Sequence, residues 1–264
     1  MAIDARAALR RGAADLATVH GVSLYVAFTV VAVLTHPINQ TLTAEMSGFF
    51  VDVANVPPEQ VLRPATPLAI ELSLPLLAAG LVLTFLVTEG MHLFAIRSFA
   101  SDGLVIAPAG GADGNLLMTY VTLLLASLAV QVLVYAGLFL LVIPGLIAAV
   151  LLVFVRQAVV LEDLGVRDAI RRSITLVRDA IVPVTLLLIV LLVLSFVVGS
   201  PAALVDPETI PGQVLSVVLG SVTTVYGIAV VTAAFQQAEI EEPSTGALDA
   251  DDLDRRSLVD ERSS

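Results

Sequence analysis

The stretch GNLLMTYVTLLLASLAVQVLVYAGLFLLVIPGLIAAVLLVFV, Gly114 to Val155, runs for 42 residues without a charged side chain. A helix rises about 1.5 Å per residue, so one helix of that length would measure roughly 63 Å, about twice a hydrocarbon core of roughly 30 Å. The chain must therefore reverse inside the window. Ile143-Pro144-Gly145 marks the place, since Pro lacks an amide hydrogen and Gly tolerates tight backbone geometry. Pro144 and Gly145 are read as the hinge.

Four more uncharged windows flank this one: Leu16 to Ala44, Leu72 to Thr88, Ala180 to Val205 and Thr209 to Ala238. Each is about long enough for one crossing. Backbone groups in lipid are satisfied only in helices or closed barrels, and these continuous apolar runs lack the alternation of barrel strands. The expected fold is an all-α, polytopic transmembrane bundle over residues 18–238. Its six spans are placed at 18–35, 67–88, 115–140, 144–161, 180–198 and 213–235.

Composition agrees, with 58% hydrophobic and 14% charged residues among 264 and a mean hydropathy of +0.97. There is no Cys, which excludes disulfides, thiolate nucleophiles and cysteine metal sites. No metal or cofactor is expected. All 13 basic residues are Arg, against 24 acids. This suggests a salt-adapted proteome, as in a halophilic archaeon, where screening tolerates carboxylate-rich surfaces; GC-biased codon usage would also replace Lys with Arg. Nine acids and three Arg follow from Glu239 onward, so the tail carries −6 of the net −11.

Short cytoplasmic loops are enriched in Arg and Lys. With six spans, Arg6, Arg10, Arg11, Arg97, Arg167, Arg171, Arg172, Arg178, Arg255, Arg256 and Arg262 fall on one side, Arg63 falls on the other, and Arg156 lies within the membrane. Both termini are expected in the cytoplasm of a multi-pass cell-membrane protein, with 37–66 and 199–212 facing outward. A cleaved signal is the rival for the first span, because Arg10-Arg11 precedes the apolar Val22 to Leu34, but no small-x-small site follows.

Between spans four and five, Val166, Ile170, Ile174 and Val177 recur at helical spacing while Arg167, Arg171 and Arg178 take other faces. Residues 166–179 read as an in-plane amphipathic helix. Arg167, Arg171, Arg172 and Arg178 are its candidate contacts to lipid headgroups, and Asp168 and Arg172 have the spacing of a helical pair. Its stripe would equally suit packing on the ends of the spans. Residues 1–17 form a weaker copy with Ile3, Ala7 and Leu16 apolar and Asp4 as N-cap. The acidic tail 239–264 is expected to be disordered, having too little apolar surface to offset ordering entropy.

The run Ile143-Pro144-Gly145, Phe154-Val155-Arg156, Val159-Val160-Leu161-Glu162 and Asp168 to Val177 resembles the integral-membrane domain associated with glycerophosphoryl diester phosphodiesterases and related six-helix membrane proteins. In that group a Pro-Gly opens a helix, a Glu follows its end and an amphipathic segment comes next. Ile170 stands here for the usual Leu, Ile174 for the usual Trp, and Asp179 where Gly is common. The motif covers Ile143 to Asp179, and the span pattern extends the likeness over Ala2 to Ala238. The resemblance implies a membrane module that accompanies a catalytic domain and has no chemistry of its own. A catalytic barrel would need some 250 further residues, which the tail does not supply.

Ionisable groups inside a membrane are functional candidates by default. Arg156 lies 12 residues after Pro144, about 18 Å along the helix. Glu89 and His92, near the inner end of span two, are at a depth to meet it, and a Glu89 to Arg156 ion pair is expected to fix span two against span four. Glu89-x-x-His92 has di-iron spacing, but one copy does not make such a site. Gln131 is expected to make an interhelical hydrogen bond and Glu71 to be interfacial. Ser216, Gly220, Thr223 and Gly227 suggest close helix packing. No Ser-His-Asp order, phosphate loop or carboxylate pair stands out, and nucleic-acid binding is unsupported.

The sequence thus favours a non-enzymatic scaffold or accessory module engaging membrane lipid and a membrane or cytoplasmic protein partner. The alternative is a small-molecule or lipid carrier. A polar cavity lined by Arg156 and Gln131 would favour the carrier, and a dry bundle the scaffold.

Overall fold

The computed structural model describes residues 3–54, 66–101, 116–206 and 208–240, and these are helical throughout apart from short connections. In chain order the helices are α1 Ala5–Leu16, α2 Val19–Ala54, α3 Leu74–Ala100, α4 Leu116–Leu140, α5 Val142–Leu151, α6 Val155–Glu162, α7 Val166–Asp179, α8 Ile181–Gly199 and α9 Ile210–Ile240, with a 3₁₀ turn at Ser200–Leu204. Six stretches are long and apolar enough to cross a membrane: α2, α3, α4, α5 joined to α6, α8 and α9. Large side chains such as Leu83, Leu133 and Leu192 are exposed along them, an apolar surface that only lipid covers well. The protein is a multi-pass membrane protein.

One end of the bundle gathers the Arg residues of α1 and α7. There Gln236 donates from Nε2 to the Ala100 carbonyl at 3.0 Å, Thr119 donates to Asp163 at 2.7 Å, and the Asp4 amide donates to Gln237 at 3.1 Å. The densest packing lies just inside this Arg-rich end. Phe154 and Phe235, both fully buried, meet with ring centroids 5.7 Å apart. Arg97, in the last turn of α3 where the helix dipole favours a cation, is also buried.

α1 is capped by the Asp4 carboxylate, which accepts from the amides of Arg6 and Ala7. It lies on α9, not alone at an interface: Tyr226 donates its hydroxyl to the Leu9 carbonyl, and a Cβ on Gly12 would collide with Val230. The expected stripe holds at Ile3 and at the half-buried Leu16 but not at Ala7. Ile3, Ala8 and Gly12 are buried and Ala7 is exposed, because close backbone approach selects the small residues.

Three span boundaries also differ from expectation. The first span does not stop at Thr35, since α2 passes through Pro37 to Ala54. The missing Pro amide costs one hydrogen bond, and a polar clasp holds the same turn. Gln40 donates from Nε2 to Gln213 Oε1 at 2.9 Å, and His36 Nε2 lies 2.9 Å from both. The rest of the expected outer loop, 55–65 with Arg63, lies outside the described residues.

The second span starts at Leu74 rather than 67. The preceding segment is tied down non-helically, with the Leu68 amide donating to Gln40 at 2.7 Å and the Ile70 amide to the Thr41 hydroxyl at 3.0 Å. Glu71 sits in that segment, exposed. The span runs on to Ala100 instead of Thr88, because Glu89 and Arg97 are buried inside it rather than ending it.

The reversal in the long window falls on Leu141, in extended conformation between α4 and α5. Pro144 therefore sits within the first turn of α5. Gly145 is a contact and not a hinge, since a Cβ on Gly137 would lie 2.8 Å from Gly145 Cα. The hairpin tip is wholly apolar, with Phe139 93% exposed and Leu140, Leu141, Val142 and Ile143 exposed beside it.

Span four is also broken. α5 ends at Leu151 and α6 begins at Val155, leaving backbone groups that need partners inside the bundle. Ser173, fully buried on α7, supplies two. Its hydroxyl accepts from the Phe154 amide at 3.1 Å and donates to the Leu151 carbonyl at 2.8 Å. α7 has the expected bounds, but its inner line is Ala169, Ser173, Leu176 and Val177, with Val166, Ile170 and Ile174 half-buried alongside. The amphipathic helix is thus packed under the break. Beyond α9, the acidic tail from 241 lies outside the described residues.

Ser173→Ala leaves a donor and an acceptor unpaired and is expected to destabilise the protein by about 1–3 kcal/mol. Ser195→Ala, on an exposed face, should stay within about 0.5 kcal/mol. Detergent unfolding titrations of both variants measure the difference.

Candidate functional site: two polar cavities beside Arg156

Arg156 stands in the first turn of α6, directly after the break. Its Nη2 donates to Glu89 Oε1 at 2.6 Å, its Nε donates to Ser127 Oγ at 3.2 Å, and Ser127 donates onward to Glu89 Oε2 at 2.8 Å. Three side chains thereby join α3, α4 and α6. Burial is unequal, with the Glu89 side chain 2% exposed and that of Arg156 36%. The carboxylate is enclosed, while about a third of the Arg156 side chain faces open space.

That space is a cavity of about 260 Å³ between α3, α6 and α9, lined by His92, Arg156, Gln157, Thr223, Thr224 and Gly227 among others. A second cavity, about 330 Å³, lies farther from the Arg-rich end between α2, α3 and α9, where Thr35, His36, Thr84, Ser221 and Thr224 contribute polar groups. We term them proximal and distal. Thr224 lines both. Phe28 of the distal wall meets His92 of the proximal wall edge to face, centroids 5.7 Å apart, so this ring pair stands between them. His92 Nδ1 lies 2.8 Å from the Thr88 carbonyl. A carbonyl only accepts, so Nδ1 carries a hydrogen. Neither wall includes an acidic residue.

The stripe on α9 has a different purpose from the one expected. Nothing lies within 4 Å of a Cβ built on Gly220 or Gly227, and these residues line the distal and proximal cavities respectively. Their missing side chains make room, because the facing helices stand off from this side of α9.

Gln131 does not join the site. It is half-buried on α4, one turn past Ser127, and lines neither cavity. Gln157 takes the place expected of it. This side chain is 4% exposed, and its Oε1 is buried with no donor among the described residues. Gln157, Ser127 and Thr224 are not legible as site residues, since an uncharged polar residue in an apolar run carries no depth signal; only Thr224 offers a clue, three residues before Gly227 on the same helix. Arg167, Arg171 and Arg178 are exposed on α7. Arg172 instead donates from Nε to Glu162 at 3.0 and 3.2 Å, fastening α7 to α6. Among the described residues no group of three or more His, Asp or Glu is placed to hold a metal.

Glu89→Ala is expected to destabilise by on the order of 3 kcal/mol, leaving a guanidinium without its counter-ion, and the Glu89→Ala/Arg156→Ala double variant by less. A loss in the double variant equal to the sum of the losses in Glu89→Ala and Arg156→Ala, read from unfolding titrations, would show that the pair carries no coupling.

A family described as "Domain of unknown function (DUF7847)" matches residues 3–238. No curated protein and no solved structure is similar to the chain.

Proposed function

We propose, for a chain that belongs to the DUF7847 family, a non-enzymatic role as a membrane-embedded carrier or receptor for a small polar solute. The observation that carries this reading is the pair of open-sided cavities, mainly apolar but with polar groups on their walls, that share Thr224, the inner one reaching Arg156. The distal cavity has room for about ten waters at roughly 30 Å³ each. A route along α9 would pass from neutral hydroxyls to a charged wall. The nearest approach to a nucleophile and base is Ser127 hydrogen-bonded to Glu89, but Ser127 is buried behind Arg156 and lines neither cavity. This argues against hydrolysis.

By the Arg distribution, both termini and α7 are assigned to the cytoplasm, so the distal cavity belongs to the outer half of the membrane. A second reading, the accessory scaffold, rests on the exposed Arg167, Arg171 and Arg178 and on the resemblance to phosphodiesterase-associated membrane domains. Anionic headgroups would stabilise such contacts by about 1 kcal/mol per Arg, and an acidic protein partner would meet the same face.

The Cys-free sequence permits a direct test. Single Cys at Thr35, Gly220 or Thr224 should react with a small water-soluble thiosulfonate added outside intact cells, while Cys at the lipid-facing Val193 should not. A thiol reacts as the thiolate, which needs water. Absence of labelling at both Gly220 and Thr224, in protein that labels once unfolded, would overturn the carrier reading.

A further inference from the structure

We infer that the proximal cavity binds a small oxoanion that carries its own hydroxyl, the class of hydrogen phosphate, a phosphomonoester or a hydroxycarboxylate. The inference rests on the cavity reading above and names the solute it would take.

Charge comes first. A guanidinium has five N–H donors, and Arg156 commits Nη2 to Glu89 and Nε to Ser127. The remaining donors have no partner among the described residues, and the side chain that carries them is 36% exposed and lines the cavity. Glu89 pairs with Arg156 from behind without lining the cavity, so the pair presents a dipole whose positive end is the nearer one. α6 begins at this wall, and the leading amides of a helix favour an anion. The Phe154 amide is already bonded to Ser173 and that of Val155 to Leu152, which leaves Arg156 and Gln157 at the head of the helix.

The rest of the polar wall accepts. Gln157 lines the cavity and its Oε1 is buried without a donor, a costly state that a ligand hydroxyl would relieve once a small side-chain rotation brings the oxygen to the wall. Thr223 and Thr224 donate their hydroxyl hydrogens to the Gly220 carbonyl at 2.9 and 3.0 Å, so toward a ligand they offer lone pairs. His92 carries its hydrogen on Nδ1, and in the neutral ring Nε2 accepts. One donor group faces several acceptors, and a molecule satisfying both has an anionic oxygen at one end and O–H at the other. A volume of about 260 Å³ admits a solute or headgroup of a few heavy atoms.

Calorimetric titration of the full chain in uncharged detergent tests this. Inorganic phosphate and glycolate should bind saturably, and sulfate and acetate, which bring no hydroxyl at neutral pH, at least tenfold more weakly. Gly227→Leu places a side chain into open space and should weaken phosphate at least tenfold with no fall in unfolding temperature. Gln157→Leu should erase the preference for phosphate over sulfate. A short-chain phosphatidate that displaces phosphate would assign the site to a lipid headgroup, and failure to displace it would assign a free solute. Absence of saturable binding by phosphate and glycolate, unchanged affinity in Gly227→Leu, or equal affinity for sulfate and acetate would overturn the inference. If thiol labelling succeeds while these titrations fail, the water-filled cavities stand and the oxoanion falls; if labelling also fails, both fall.

Discussion

A backbone interrupted within a membrane span leaves polar groups that the protein itself must satisfy, and the gap between α5 and α6 is repaired by one hydroxyl, that of Ser173. The other features of the site depend on this repair. It permits α6 to start a new turn with Arg156 and Gln157 at its head. It requires α7 to lie close beneath, an arrangement that Arg172 and Glu162 reinforce from the other side. A straight helix through Leu152 to Phe154 would place Arg156 differently relative to Glu89. Uncompensated ionic groups at this depth are expensive, and here the acid is enclosed while the base is left partly open.

Much of the fold could be read from the amino acids because lipid imposes length and polarity together. Six uncharged windows or half-windows became six spans, and the limits of α7 coincide with the expected Val166 to Asp179. The differences have two causes. A charge ends an apolar window, so the second span reads as stopping at Thr88, although Glu89 continues the helix with its partner on another element. The first span reads as ending at Thr35 because the clasp that accompanies α2 past Pro37 joins His36 and Gln40 to Gln213, more than 170 residues away.

The site was half legible. Arg156, Glu89 and His92 stood out because ionisable groups are rare in apolar runs, and they converge. Small and uncharged residues did not. Gly220 and Gly227 have the spacing of a tight helix contact, and only the placement of α2, α3 and α6 turns them into the floor of two voids. Gln131 and Gln157 are indistinguishable by composition, and what separates them is the side of the bundle each helix presents.

The apolar turn at Phe139 to Ile143 bears on how the chain enters its membrane. Two helices joined through Leu141 alone have no hydrophilic loop to drag across the oily layer during biosynthesis. The paired segment, Gly137 against Gly145, can therefore enter lipid as one apolar wedge, with no polar stretch between its two arms.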